Sequence, residues 1–274
     1  MRTRIALHSP PRSGSTWLGS VFDSHPSVVY KYQPLFSYAF KDQLGPESSL
    51  REIRKFFEDI AQSEDDFINQ VEAKKAGIIP DFDTTSCKAI VYKEVRYHHI
   101  LRNLLETDPD LRVVGLIRNP LSTIYSWLHA PKEFEPSWDP LVEWRHAPRK
   151  NGGRPEEFNG YEKWKEVALL FLDLQNTYHD RFLLLTYESL TANPWHTART
   201  LFTFADLPWA SQTEQFLAES TSTASNAPYG VFRKEVSPYR HTNALHPTIK
   251  EAILSDSEFQ TLLKQYPWDA DRLC

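Results

Sequence analysis

The sequence predicts an α/β fold in which a three-layer, doubly wound parallel sheet carries helices on both faces. Short apolar runs alternate along the chain with longer segments whose apolar residues recur at helical spacing. This alternation is typical of parallel sheets with two covered faces. The 274 residues are enough for one large domain, and we find no internal repeat and no low-complexity tract. We therefore expect a single domain over residues 1–274.

Five apolar runs have the length of a buried strand. The predicted strands are Arg4–His8, Val28–Tyr32, Lys88–Lys93, Arg112–Ile117 and Phe182–Thr186. Segments with helical periodicity lie between and after these runs. The predicted helices are Ser15–Ser24, Leu50–Ala61, Phe67–Lys75, Tyr97–Glu106, Pro120–His129, a long helix whose apolar stripe runs from Trp164 to Tyr178, Pro194–Phe204 and Ile249–Gln265. Asn119 is a suitable N-cap for the helix that begins at Pro120.

Two segments show no clear periodicity. Residues 131–160 are rich in Pro, Trp and charged residues, and we predict an insertion that covers one end of the sheet as a lid or a ligand-binding loop. Residues 220–247 are a second irregular region near the C-terminus.

The composition excludes several classes of protein. The net charge of −5 argues against a general affinity for nucleic acid or acidic membranes. Two cysteines are too few for a disulfide framework, and no CxxC metal pattern is present. No apolar segment approaches the ~20 residues of a membrane-spanning helix, and the short apolar run after Arg4 is not a signal peptide. We expect a cytoplasmic protein without a membrane span and without a nucleic-acid partner.

The most informative segment is Ser9-Pro10-Pro11-Arg12-Ser13-Gly14-Ser15-Thr16-Trp17, between the first strand and the first helix. A strand, a turn of small residues and a helix N-terminus form an anion site, because free backbone N–H groups and the helix dipole point at the ligand. Gly14 permits a close backbone approach, and Arg12 adds a fixed positive charge. The alternative is a polar turn that only caps the helix. The segment predicts a P-loop-like nucleotide-binding core.

The segment is not a Walker A loop. Aligned on Gly14 and Thr16, it has Ser15 where that motif has its lysine, and Ser9 at the first glycine position. The third and fourth predicted strands end at Lys93 and Arg118, where a phosphotransferase with Mg²⁺ would have an acidic residue. We therefore predict that side chains, and not a metal ion, neutralise the ligand.

A second basic site follows the fourth strand. Arg118 lies at the strand end, and Ser126 lies eight residues later, two turns into the next helix. The carboxyl ends of the strands in a doubly wound sheet share one crevice, so Arg118 should face the same crevice as Arg12. Two cationic sites predict a ligand with two separated anionic groups. The alternative for Arg118 alone is an exposed arginine at a strand end.

These segments resemble the sulfotransferases that use 3′-phosphoadenosine-5′-phosphosulfate (PAPS). The segment from Pro11 to Trp17 is similar to the loop that binds the 5′-phosphosulfate, with Arg12 where cytosolic members have a lysine. Arg118 and Ser126 match the family's 3′-phosphate pair in type and spacing. The segment that begins at Tyr187 also resembles a recurring family segment. The resemblance implies that residues 12–17, Arg118, Ser126 and Tyr187 bind the donor and its product, adenosine 3′,5′-bisphosphate (PAP).

The carbohydrate sulfotransferases are the most similar branch, over residues 22–35, 93–96 and 108–114. Three departures from the family pattern are visible. Gln33-Pro34 replaces the Glu-Pro of this branch, so residue 33 cannot act as a general base. The Arg-Lys-Gly-x-x-Gly segment of cytosolic members is missing, and Arg233 and Lys234 are expected to take its contact with the 3′-phosphate. The membrane anchor of Golgi members is absent from this sequence.

The resemblance implies an enzyme that moves a sulfuryl group from PAPS to the hydroxyl of a sugar or a small-molecule alcohol, without a metal. Arg12 would stabilise charge on the leaving group. The predicted general base is Glu94, at the end of the third strand, with His99 as a second candidate next to His98. The alternatives are a salt bridge for Glu94 and a surface position for each histidine.

Trp138 and Trp144 of the insertion are predicted to contact the acceptor, because aromatic faces suit sugar rings and flat acceptors. Two other functions are compatible with the strand–loop–helix start. One is a P-loop kinase-like phosphotransferase, which would need ATP and Mg²⁺. The other is a module that binds an adenosine nucleotide without catalysis.

Overall fold

The computed structural model describes residues 2–223, 230–232, 234 and 237–273. Its centre is a sheet of five parallel strands in the order β2-β3-β1-β4-β5. The strands are β1 (Thr3–His8), β2 (Val28–Tyr32), β3 (Ala89–Glu94), β4 (Leu111–Ile117) and β5 (Phe182–Thr186). All five predicted strands are confirmed, and the ends differ by at most one residue. The predicted parallel α/β sheet is confirmed with them.

The helices of the described residues surround this sheet. They are α1 (Ser15–Asp23), α2 (Leu50–Gln62), α3 (Val71–Lys75), α4 (Leu101–Thr107), α5 (Pro120–Leu128), α6 (Pro140–His146), α7 (Pro148–Asn151), α8 (Tyr161–Thr177), α9 (Tyr187–Ala192), α10 (Pro194–Phe204), α11 (Ser211–Ser222), α12 (Pro247–Leu254), α13 (Ser257–Leu263) and α14 (Ala270–Leu273). Short 3₁₀ turns occupy Pro34–Phe36 and His98–Ile100.

Some predicted helices are wrong in extent, and side-chain caps and local backbone conformations explain the differences. The helix predicted over 249–265 is two helices, because the Asp256 carboxylate accepts hydrogen bonds from the N–H groups of Glu258 and Phe259 and starts α13. The helix predicted from Phe67 begins only at Val71, after Gln70 with a positive φ of 56°. The irregular segment 131–160 contains α6, which begins at Pro140 after the N-cap Asp139. Helices α9 and α11 were not predicted.

Two hydrophobic cores lie on the two faces of the sheet. Successive side chains of a strand point to opposite faces, so Ile5 and Leu7 of β1 join one core and Ala6 joins the other. Helices α1, α10 and α11 cover the face of Ile5 and Leu7, which we call the α1 face. Helices α2, α4, α5, α8, α12 and α13 cover the opposite face, which we call the α8 face. This arrangement confirms the three layers.

The strand order places a crevice at the middle of the sheet. The chain leaves β1 toward β2 at one edge and leaves β4 toward β5 at the other, although β1 and β4 are neighbours. Neighbouring strands whose connections leave in opposite directions open a crevice at their carboxyl ends, where ligands of such sheets bind. The predicted loop after β1 and Arg118 after β4 both lie at this position.

Close packing over β4 gives a test of this core. A Cβ atom at Gly115 would lie 2.7 Å from the Phe182 ring and 2.9 Å from the Phe171 ring. We expect Gly115→Ala to lower the free energy of unfolding by about 1–3 kcal/mol through overpacking, measured by urea unfolding. Gly45→Ala is the matched control, because a Cβ atom there meets nothing within 4 Å. Equal effects of the two substitutions would contradict this account of the core.

Candidate active site

A cavity of about 460 Å³ opens at the carboxyl ends of the strands. This volume lies within the range of small-molecule and cofactor sites. Eight residues predicted to bind the ligand line this one cavity: Arg12, Gly14, Ser15, Thr16, Trp17, Arg118, Ser126 and Tyr187. The structure therefore brings together the two basic segments that lie more than a hundred residues apart in sequence.

The loop after β1 has a backbone that requires glycine. Gly14 is the N-cap of α1 and has a φ of 91°, in the left-handed region. A Cβ atom at this position would lie 2.5 Å from the Tyr187 ring. Without a side chain, residue 14 cannot satisfy the first N–H groups of α1. The N-terminal turn of α1 at Ser15 and Thr16 therefore faces the cavity with its N–H groups and its dipole, as an anion site needs.

Ser13 is the member of this loop that the structure places elsewhere. Its side chain is fully buried and does not line the cavity. Within the described part of the chain, its Oγ has no hydrogen-bond partner. The Ser13 side chain therefore does not reach the cavity in this structure, and the predicted contact of Ser13 with the donor stays a prediction.

Arg118 lines the cavity, and its Nη1 donates to the Arg12 carbonyl at 3.5 Å. Its guanidinium carbon lies 4.5 Å from the centroid of the Tyr187 ring, a cation–π distance, and Nη2 donates to the Pro238 carbonyl at 3.3 Å. The next residue, Asn119, donates from Nδ2 to Glu188 Oε1 at 2.6 Å. These contacts tie the end of β4 to the start of α9 and fix where Arg118 points.

Arg12 reaches across the cavity toward α5 and the insertion. Its Nε donates to Ser126 Oγ at 3.2 Å, and Nη1 lies 3.2 Å from Glu133 Oε1. Ser126, predicted to bind together with Arg118, is thus in contact with Arg12. Glu133 was not predicted as a site residue, and the spacing of the sequence contains no signal for it.

Four further residues line the side of the cavity at β2 and β3, and none of them was predicted as a site residue, although Lys93 was noted from the sequence as a basic strand end. They are Tyr32, Gln33, Lys93 and Val95. The Lys93 ammonium is buried and lies 4.5 Å from the centroid of the Tyr32 ring. Burial lowers the pKa of Lys93, while the carboxylates of Glu94 and Glu133 act in the opposite direction. Gln33 Oε1 accepts a hydrogen bond from Arg96 at 3.0 Å, which orients its amide.

The sequence profile of the Sulfotransferase family matches residues 5–211, three quarters of the chain. The chain belongs to this family. A segment of 136 residues is 29% identical to human carbohydrate sulfotransferase 3 and covers 47% of this chain and 28% of that protein. The chain thus matches less than a third of the length of this relative.

Solved sulfotransferase structures have the same fold. Mouse sulfotransferase SULT7A1 complexed with PAP is similar with a TM-score of 0.53 at 15% identity, over 96% of this chain and 88% of that one. The sulfotransferase domain from the curacin biosynthetic pathway is similar with a TM-score of 0.52 at 16% identity, over 98% of this chain and 99% of that one. Retinol dehydratase in a complex with retinol and PAP is similar with a TM-score of 0.52 at 13% identity, over 98% of this chain and 84% of that one. The likeness confirms the predicted P-loop-like core of the sheet.

Two further findings concern the described residues only. None of their helices has the length and apolar character needed to cross a membrane. No group of three or more His, Cys, Asp or Glu side chains in the same residues is arranged to hold a metal ion.

The position of Glu94 differs from the one expected for the base of a sulfotransferase. Glu94 is fully buried and does not line the cavity. Its Oε1 accepts a hydrogen bond from the Leu35 N–H at 2.8 Å, which holds the 3₁₀ turn after β2. Burial raises the pKa of Glu94. The expectation that Glu94 faces the crevice is wrong, because the alternation along β3 points Lys93 to the α1 face and Glu94 to the α8 face.

His99 and its neighbour also lie outside the cavity lining. The His99 ring is half-buried and is parallel to the Phe158 ring at 6.4 Å. His98 is fully buried, with its Nδ1 3.1 Å from His8 Nδ1. Neither histidine ring therefore reaches the cavity in this structure.

Two tryptophans and a lysine that were predicted to lie at the site are not part of the cavity wall. Trp144 is buried and stacks on Tyr161, and Trp138 packs edge-on against Phe134, so neither tryptophan lines the cavity. Lys234 is exposed and is not part of the described cavity wall. Arg233 lies outside the described residues, and its contact with the 3′-phosphate stays a prediction.

The buried histidine pair beneath the site makes the stability of this sulfotransferase depend on pH. Burial, with a further contribution from His99, lowers the pKa of His98 to about 3, and burial lowers the pKa of His8 well below its usual 6.5. The unfolded chain binds a proton at each histidine below pH 6.5, and the folded chain does not. Stability from this pair is therefore present above pH 6.5 and is lost as the pH falls.

We expect His8 and His98 each to lower the free energy of unfolding by about 1.4 kcal/mol for each pH unit below pH 6.5. Urea unfolding at pH values on both sides of it, for the native chain and for His98→Gln, measures the effect. The buried Glu94 carboxyl changes stability with pH in the opposite direction. The test therefore compares, between proteins, the slope of the free energy of unfolding against pH. The slope should be smaller for His98→Gln and unchanged for the exposed control His196→Gln. The same slope in all three proteins would refute the assignment.

Proposed function

We propose that the protein transfers a sulfuryl group from PAPS to the hydroxyl of an acceptor. The observation that carries the proposal is the single cavity that the loop after β1 and Arg118 after β4 share. The loop after β1 offers backbone N–H groups and Arg12 to an anion, and Arg118 beside the Tyr187 ring offers a second cation. This arrangement fits a nucleotide with two separated anionic groups. Human carbohydrate sulfotransferase 3 and the PAP-bound structures support the same donor.

The residues of the cavity fit the donor in a definite order along the strand ends. Arg118 and Ser126 would hold the 3′-phosphate, and Tyr187 would pack beside the nucleotide. The N-terminal turn of α1, with Thr16 and Arg12, would hold the 5′-phosphosulfate. Gly14 supports this fit, because only a glycine lets the loop backbone pack against the Tyr187 ring, which would lie 2.5 Å from a Cβ atom at this position.

The same residues can stabilise the leaving group. When the S–O bond to the 5′-phosphate breaks, its electron pair remains on a phosphate oxygen, and negative charge increases there. Arg12, Lys93 and the N–H groups of α1 lie around this part of the cavity before the reaction begins. Donors placed in advance are effective because the protein need not reorganise, and loss of one typically costs about 3–4 kcal/mol of activation free energy.

The acceptor side is proposed to be the part of the cavity at β2 and β3. Tyr32, Gln33 and Val95 form it together with Lys93. A sugar or a small-molecule alcohol is the proposed acceptor, and retinol dehydratase, whose structure holds retinol and PAP, supports a small molecule. The cytoplasmic location expected from the sequence stays a prediction.

Ligand-dependent stability tests the donor directly. A ligand that binds only the folded state at 100 times its Kd raises the free energy of unfolding by about 2.7 kcal/mol. For a chain of this length we expect PAP to raise the Tm by about 5–10 °C, measured by differential scanning fluorimetry. ATP with Mg²⁺ is the comparison for a kinase. A shift with ATP and Mg²⁺ and none with PAP would contradict the proposal.

A second measurement separates the two anionic sites. We expect Arg118→Ala to weaken PAP binding by about tenfold to a hundredfold, the loss of one charge-assisted hydrogen-bonding partner. Adenosine 5′-phosphate, which lacks the 3′-phosphate, should bind both proteins equally by calorimetry. The control is Arg102→Ala, at an exposed ion pair with Asp173. Equal losses for both nucleotides in Arg118→Ala would place the arginine at another part of the ligand.

A further inference from the structure

Sulfuryl transfer to a hydroxyl needs a proton acceptor, and the residues first expected to supply it do not line the cavity. Glu94 and His99 lie outside the cavity wall. Gln33 does line the cavity, but an amide cannot take the proton at neutral pH. Among the residues that the structure describes, Glu133 is the carboxylate that lines this cavity.

Glu133 lies on the acceptor side. Its Oε1 is 3.2 Å from Nη1 of Arg12, and its side chain is 27% exposed, so it is open to the cavity. Its negative charge also affects the pKa values of Tyr32 at the end of β2 and of Lys93 in β3. Burial raises the pKa of Tyr32 and Glu133 raises it further, and Glu133 opposes the lowering of the pKa of Lys93 by burial. The carboxylate therefore contacts Arg12 and lines the same cavity as Tyr32 and Lys93.

The backbone of Glu133 is fixed although its side chain is open. The N–H groups of Glu133 and Phe134 both donate to the Ala130 carbonyl at 2.9 Å. Phe134 is buried and packs edge-on against Trp127 at 5.3 Å and against Trp138 at 5.4 Å. A tight turn anchored by a buried ring thus presents a partly exposed carboxylate to the cavity, which is the support that a catalytic group needs.

We propose that Glu133 is the catalytic base of the sulfuryl transfer, an inference that rests on the proposed function. The Glu133 carboxylate takes the proton of the acceptor hydroxyl. The acceptor oxygen forms a bond to sulfur with the freed electron pair, and the bond from sulfur to the 5′-phosphate oxygen breaks. Arg12 and Lys93 face the charge that this oxygen gains. Before the donor binds, Arg12 holds Glu133; the donor anion takes over Arg12 and frees the carboxylate for the acceptor.

The test compares Glu133→Gln with Glu135→Gln, an exposed carboxylate two residues away that does not line the cavity. The first readout is the affinity for PAP by calorimetry, which needs no acceptor. The second is the release of sulfate from PAPS with water as the acceptor, followed by turnover with a panel of aliphatic alcohols and phenols. Glu133→Gln should lose about 10²–10⁴-fold in turnover, the contribution of a general base.

The affinity for PAP should stay the same or increase in Glu133→Gln, because Arg12 no longer has an internal anionic partner. Glu135→Gln should match the native protein in both readouts. Turnover of Glu133→Gln within threefold of native would overturn the inference. A loss of PAP affinity as large as the loss of turnover would also overturn it and make Glu133 a positioning residue for Arg12. Failure of the native protein to bind PAP would instead refute the proposed function.

Discussion

The contact between the Tyr187 ring and the backbone of Gly14 fixes the geometry of the cavity. A Cβ atom at residue 14 would lie 2.5 Å from this ring, so the chain after β1 can approach the chain after β5 only at a glycine. The same ring lies 4.5 Å from the Arg118 guanidinium, which brings in the end of β4. Three strand ends thus meet around one aromatic side chain, and Arg12 and Arg118 can face a single ligand.

The cavity concentrates positive charge in a chain whose net charge is −5. Arg12, Lys93 and Arg118 all line it, and burial of such groups costs free energy because they lose water. Two of the three cations face aromatic rings, Lys93 at Tyr32 and Arg118 at Tyr187. A cation–π contact contributes about 0.5–2 kcal/mol and leaves the full positive charge in place. The rings therefore hold the cations without neutralising them.

The sheet was predictable from the sequence because each strand is a short apolar run bounded by polar residues, and burial on both faces demands such runs. The phosphate loop was predictable because Gly14 and its neighbours follow the first strand directly. The direction of a side chain at a strand end was not predictable from the sequence. Lys93 and Glu94 are adjacent, and only the register of β3 against β1 and the position of the cavity on the α1 face decide which one enters it. Glu133 was not predictable, because its place depends on the packing of Phe134 in the core of the α8 face.

The order of the strands divides the cavity into two parts with different tasks. Strands β1, β4 and β5 end at the loop, Arg118 and Tyr187, which fit a nucleotide. At the ends of β2 and β3, Gln33 and Lys93 line the cavity with an amide and a cation, while the carboxylate of Glu94, the last residue of β3, does not line it. A base for the acceptor must then come from outside the sheet, and the segment 131–160 provides Glu133. On this proposal the strand ends hold the donor and contact the acceptor, and the segment 131–160 adds the group that removes the proton. The base can therefore change while the donor site on the sheet stays the same.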